Sequence, residues 1–124
     1  MNWTPARKRS FIISGLRKTA SRWPPKYETL KDAFETRKVN KASGKLANHY
    51  KCASCKKLFT TTNVQVDHIN PIVDPVVGFV SWDSFVERLF CPAENLQVLC
   101  KPCHEIKTQA ERKIRNAHKK SNRD

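Results

Sequence analysis

Apolar residues in the first part of the chain recur every three to four positions. Ile12, Leu16, Ala20 and Trp23 fall on one helical face, Thr4-Pro5 provides an N-cap followed by a proline suited to the first helical turn, and Pro24-Pro25 stops the run. Tyr27, Leu30 and Phe34 repeat the period and predict a second helix over residues 26–38. Trp3, Trp23 and Tyr27 lie on or beside these stripes and are assigned to core packing rather than to stacking on bases. Residues 39–49 lose the pattern and read as a polar connector, with His49 an ordinary surface or hinge histidine. Residues 60–69 then read as a strand with Val64 and Val66 on one face, ended by Asn70-Pro71. Turn signals at Asp74-Pro75 and Gly78 mark an apolar loop, and Ser81 is placed to cap a short helix over 82–90 whose Trp82, Phe85, Val86 and Leu89 face inward. A second strand is expected at 96–99. A charged helix follows at 104–118 with a thin stripe of Ile106, Ala110 and Ile114, and 119–124 reads as a frayed basic tail.

The pattern gives an α+β chain: two N-terminal helices, then strand, long loop with a helical insertion, strand and helix. It divides into a basic helical extension (1–49), a core (50–118) and a basic tail (119–124). With 124 residues, one small domain with a limited core is expected. No apolar run is long enough to span a bilayer and no secretory signal is evident, so a soluble, cytoplasmic protein without a membrane partner is expected.

Charge sharpens this picture. The net charge is +13 and unevenly spread: residues 1–57 carry +12, 58–103 carry −3 and 104–124 carry +4. Basic flanks around a slightly acidic centre fit a chain that holds a polyanion at its ends and a divalent cation in its middle. Arg7, Lys8, Arg9, Arg17, Lys18 and Lys107 are the candidate phosphate contacts.

Of five cysteines, four form two CxxC pairs, Cys52-Ala-Ser-Cys55 and Cys100-Lys-Pro-Cys103. Paired CxxC spacing predicts a four-thiolate tetrahedral site for one structural Zn²⁺ per chain; in the first pair the small Ala-Ser between the cysteines lets backbone N–H groups face the thiolates. No βαβ pattern surrounds either pair, which argues against a redox role. Cys91 is left over and reads as a small buried hydrophobe.

Between the pairs stands Val64-Gln-Val-Asp67-His68-Ile69, and the second pair is framed as Asn95-Leu-Gln-Val-Leu-Cys100-Lys-Pro-Cys103-His104. Asp67-His68-Ile69-x-Pro71 followed by Asn95-Leu96-x-x-Leu99-Cys100-x-x-Cys103-His104-x-x-Lys107 resembles the HNH endonucleases of the ββα-metal class, in their zinc-stapled branch, over residues 50 to about 110. The chain's general look is similar to that of small free-standing phage enzymes of this kind. The resemblance implies a DNA endonuclease with His68 as general base, Asn95 as brace for the loop and the base, and Asp67 and His104 as ligands of one catalytic divalent ion (Mg²⁺, Mn²⁺ or Ni²⁺). It implies double-stranded DNA as substrate, nicked or cut through, and a monomer or homodimer. An imidazole that titrates near neutrality suits proton removal from water. Cys103 and His104, about 100° apart on a helix, suit two different ions. Asp67 and His68 are neighbours on a strand and would point to opposite faces, so a backbone bend is expected between them. Two alternatives stand beside this reading: a non-catalytic zinc-dependent nucleic-acid-binding module, and a basic accessory subunit docking an acidic partner such as a phage packaging protein.

Overall fold

The computed structural model describes residues 2–123, with side chains as far as Lys119. Helix α1 (Pro5–Ala20) starts where Thr4 Oγ1 accepts the Arg7 N–H at 3.2 Å, and Arg17 and Lys18 in its last turn complement the helix dipole. Helix α2 (Pro24–Ala33) begins at the prolines that were expected only to end the preceding helix: their fixed φ suits a first turn, whose N–H groups need no partner within the helix.

The second expectation to change is the helix over 26–38. Helix α2 ends at Ala33, and the chain turns directly into strand β1 (Phe34–Val39), paired antiparallel with β2 (Leu46–Lys51). The connector at 39–49 is therefore the turn and outgoing strand of a hairpin. Strand β3 (Leu58–Thr60) completes a sheet of order β1-β2-β3. The N-terminal extension is thus not all helical, and β2 runs across the expected boundary at residue 49. His49 is only 6% exposed, paired opposite Thr60 with its Nδ1 2.9 Å from the Ala47 carbonyl, not a surface residue. Trp3 and Tyr27 are each 58% exposed rather than in the core. Trp23 is half-buried and donates its Nε1–H to the Cys91 carbonyl at 2.7 Å.

The strand expected at 60–69 is divided. A 3-10 turn at Thr61–Asn63 separates β3 from β4 (Val64–His68), which pairs antiparallel with β5 (Leu96–Cys100) in a second sheet. Between them lies α3 (Trp82–Leu89), capped by Ser81 Oγ on Ser84 N–H at 3.1 Å. Helix α4 (Lys101–Arg123) follows β5 without a loop, three residues earlier than expected and through most of the tail read as frayed; Asp124 lies outside the described residues.

The buried residues form three small groups. Ala20 of α1 packs on Phe85 and Leu89 of α3; Tyr50, Val64 and Val98 join the two sheets under α2; Cys52, Leu99 and Cys100 form the third. Burial of a side chain such as Leu89 contributes about 1.5–3 kcal/mol, so each group alone is a weak core. Cys91, 4% exposed, behaves as the small buried hydrophobe expected of it. Among the described residues no helix is long and apolar enough to cross a membrane.

Candidate functional site

Two centres lie at opposite ends of the β4–β5 ladder. At the Val64–Cys100 end, the sulfurs of Cys52, Cys55, Cys100 and Cys103 all lie within 4.8 Å of one another, an arrangement that could hold a metal ion. Cys52-Ala-Ser-Cys55 forms a tight turn closed by Lys56 N–H to the Cys52 carbonyl and Cys52 N–H to the Lys57 carbonyl, each 3.0 Å, while Ala53 N–H reaches the Val98 carbonyl at 2.8 Å and fastens the turn to β5. Burial opposes ionisation of Cys52. Backbone N–H groups of Cys100, Cys55 and Ser54, with the Cys55 thiol, outweigh it and bring the Cys52 thiol down to about 6. Burial, together with the neighbouring thiols, pushes Cys100 up to about 12. Crowded thiols suppress one another's ionisation, and a cation among them removes that penalty. The donor set, four sulfurs on one tight turn and one strand–helix junction, fits a tetrahedral thiophilic ion.

The turn sets Lys56 at φ 65°, the left-handed region, where an L side chain costs about 1–2 kcal/mol. Lys56→Gly should hold or raise the thermal midpoint of the metal-loaded protein. Lys56→Val should lower stability by more than about 1 kcal/mol; equal melting of the two variants would contradict a strained turn.

At the other end, β4 stops at His68, paired with Leu96. Register is continuous through Asp67, so the expected bend between Asp67 and His68 is absent. Both nonetheless line one cleft of about 440 Å³, which wraps the end of β4 with α3 on the His68 side and α4 on the Asp67 side. His68 is 9% exposed, with Nε2 3.0 Å from the Leu89 carbonyl. A carbonyl only accepts, so Nε2 carries the proton and Nδ1 is the lone-pair atom of the neutral ring. Burial holds the His68 pKa below the usual histidine value against the Leu89 carbonyl and Asp67, with Lys26 and Lys107 adding to the depression.

Asp67 Oδ2 accepts from Lys107 Nζ at 2.6 Å and Gln97 Nε2 at 3.1 Å, and its Oδ1 faces His104 Nε2 at 3.7 Å. His104 turns into the cleft while Cys103, one residue earlier on α4, turns into the sulfur cluster. Asn95 is not a cleft residue. Its carbonyl accepts Ile69 N–H at 2.8 Å and its Oδ1 accepts Asn70 N–H at 3.0 Å, pinning the chain that leaves His68. Lys107 also bonds the His68 carbonyl and lies 3.6 Å from Glu111, so it is committed inward.

Of the other basic candidates, Arg17 lines the cleft, whereas Arg7, Lys8, Arg9 and Lys18 are exposed along α1 outside it. Arg7 lies over Trp3 and Arg9 over Phe79, at 4.8 and 4.5 Å from the ring centroids. Two cleft cations were missed from the sequence, Lys26 and Arg115. Lys26 carried one signal: it stands in the first turn of a helix, where the dipole disfavours a cation, and burial lowers its pKa. Compared with known protein families, curated proteins and solved structures, the chain matches none of them.

Proposed function

We propose that the chain is a metal-dependent endonuclease that hydrolyses phosphodiester bonds in double-stranded DNA, of the HNH type its motif resembles, with a structural Zn²⁺ in the cysteine cluster. What carries the reading is the convergence on one cleft of a neutral imidazole held by its Nε2 and a facing carboxylate–imidazole pair, beside a rim of cations.

His68 accepts the proton of the attacking water at Nδ1, since Nε2 is occupied by the Leu89 carbonyl. The depressed pKa keeps the ring in its basic form at neutral pH. The water oxygen bonds to phosphorus, the bond from phosphorus to the 3′ oxygen breaks, and that oxygen takes its proton from solvent. Asp67 Oδ1 and His104 Nε2 fit a shared divalent ion, one hard oxygen and one imidazole nitrogen, with the other carboxylate oxygen already held by Lys107 and Gln97. Mg²⁺, Mn²⁺ or Ni²⁺ held there would stabilise charge developing on the phosphate and the leaving oxygen. Arg17, Lys26 and Arg115 attract the flanking phosphates. Asn95 keeps the chain after His68 in place through two hydrogen bonds.

Supercoiled plasmid should pass to open-circle or linear form with Mg²⁺, Mn²⁺ or Ni²⁺ and remain intact in EDTA. The alternative of a non-catalytic binding module draws on one feature: Lys107 already neutralises Asp67. Folded, zinc-loaded protein that binds duplex yet leaves plasmid uncut in all three ions would replace the nuclease reading with that one.

A further inference from the structure

From Thr36 to Val66 the chain holds seven Lys and Arg residues and no Asp or Glu. All seven are exposed: Arg37, Lys38, Lys41, Lys45, Lys51, Lys56 and Lys57. Among the described residues none of them has a carboxylate within ion-pair distance. Five belong to the β1–β2 hairpin and its turn, and no residue between 34 and 63 lines the cleft.

The hairpin tip is built to hold its shape. Asn40 N–H bonds the Lys45 carbonyl at 2.8 Å and Gly44 N–H the Asn40 carbonyl at 2.7 Å, with Gly44 at φ 73°. Asn40 Oδ1 takes the Ala42 N–H at 3.2 Å. Beside the tip, Val39 and Leu46 form a cross-strand pair that is 54% and 60% exposed. Lysines on an edge strand commonly block sheet-to-sheet pairing. That explains Lys38 on β1, but not Lys41 and Lys45 within the turn or the uncovered apolar pair that brackets it.

We propose that the β1–β2 hairpin is a duplex-DNA-binding arm, separate from the cleft, with Lys41 and Lys45 on phosphates and Val39–Leu46 against sugars and base edges in a groove. The proposal rests on the nuclease reading for its ligand. A two-stranded ribbon fits the major groove of B-form DNA, whereas the deep, narrow groove of duplex RNA excludes it. A pre-formed tip binds without a large ordering cost.

The test uses the full zinc-loaded chain carrying His68→Ala, so that DNA is not consumed, and fluorescence anisotropy on a 20-bp duplex across a salt series. Lys41→Gln with Lys45→Gln should weaken binding and reduce the slope of log K against log salt by about 2. Leu46→Ser should weaken binding with the slope kept. A control pair, Arg22→Gln with Lys119→Gln, removes the same charge outside the arm and should leave the slope as it was. An unchanged slope in the arm variant, an equal fall in the control, or equal weakening on an RNA duplex of the same sequence would each overturn the arm. The same chain with His68 intact, if it binds through the arm but leaves plasmid uncut in Mg²⁺, Mn²⁺ and Ni²⁺, would leave the arm standing and remove the nuclease.

Discussion

If the cluster of Cys52, Cys55, Cys100 and Cys103 holds a structural ion, stripping it should abolish the cooperative thermal transition of the whole chain. The reason lies in how the core is divided. Three small buried groups share the stabilisation, and the third of them is the sulfur cluster itself. Cys100 ends β5 and Cys103 lies in the first turn of α4, while Cys52 joins β2 to the turn fastened on β5 by the Ala53–Val98 hydrogen bond. One ion held there would therefore tie both sheets and α4. Binding of a structural zinc is worth on the order of 10 kcal/mol in small metal-folded domains, comparable to the whole stability of a domain of this size. Cys52→Ser should have nearly the same effect. Calorimetry with metal analysis decides it: a Cys52→Ser protein that keeps one ion and its transition would contradict the four-thiolate assignment.

His68→Ala should lower plasmid cleavage by roughly 10²–10⁴-fold, the range associated with a positioned general base. The same change removes the hydrogen bond to the Leu89 carbonyl and leaves a small cavity, for a stability cost of about 1–3 kcal/mol. The two effects separate by comparing rate with thermal midpoint: the catalytic loss should greatly exceed anything the folded fraction accounts for. Cleavage at the wild-type rate by His68→Ala, in protein shown to be folded and metal-loaded, would remove His68 as the base and with it the main support for the mechanism.

The sequence made some elements legible because their signals are local. Thr4-Pro5 and Ser81 start helices where caps say they should, and the alternation around Val64 and Val66 and the apolar run after Asn95 mark β4 and β5. The four cysteines were readable from spacing alone. The hairpin was not, because Phe34 continues the helical period of Tyr27 and Leu30, and because Asn48 and His49 give β2 the look of a connector. What makes β2 a strand is its pairing on both sides, with β1 and β3, which is a long-range fact. The same limit hid the inward role of His49. In the cleft, residue types were legible and directions were not. A regular strand did put Asp67 and His68 on different sides, as expected, yet a cleft that wraps the strand end admits both without a bend. Lys26 and Arg115 join it only through packing of α2 and α4.

The sulfur cluster also bears on how the chain reaches its fold. Cys55 and Cys100 stand 45 positions apart, and the segment between them includes the hairpin partner β3, all of β4 and the α3 insertion. Closing so long a loop by diffusion costs entropy that must be met before β4 and β5 can reward it. An ion captured while the chain is still unfolded makes that closure first and leaves the two strands to search a much smaller space. Refolding should then depend on when the ion is added: fast if it is present from the start, slow if it arrives after denaturant has been removed and unpaired strands have begun to associate between molecules.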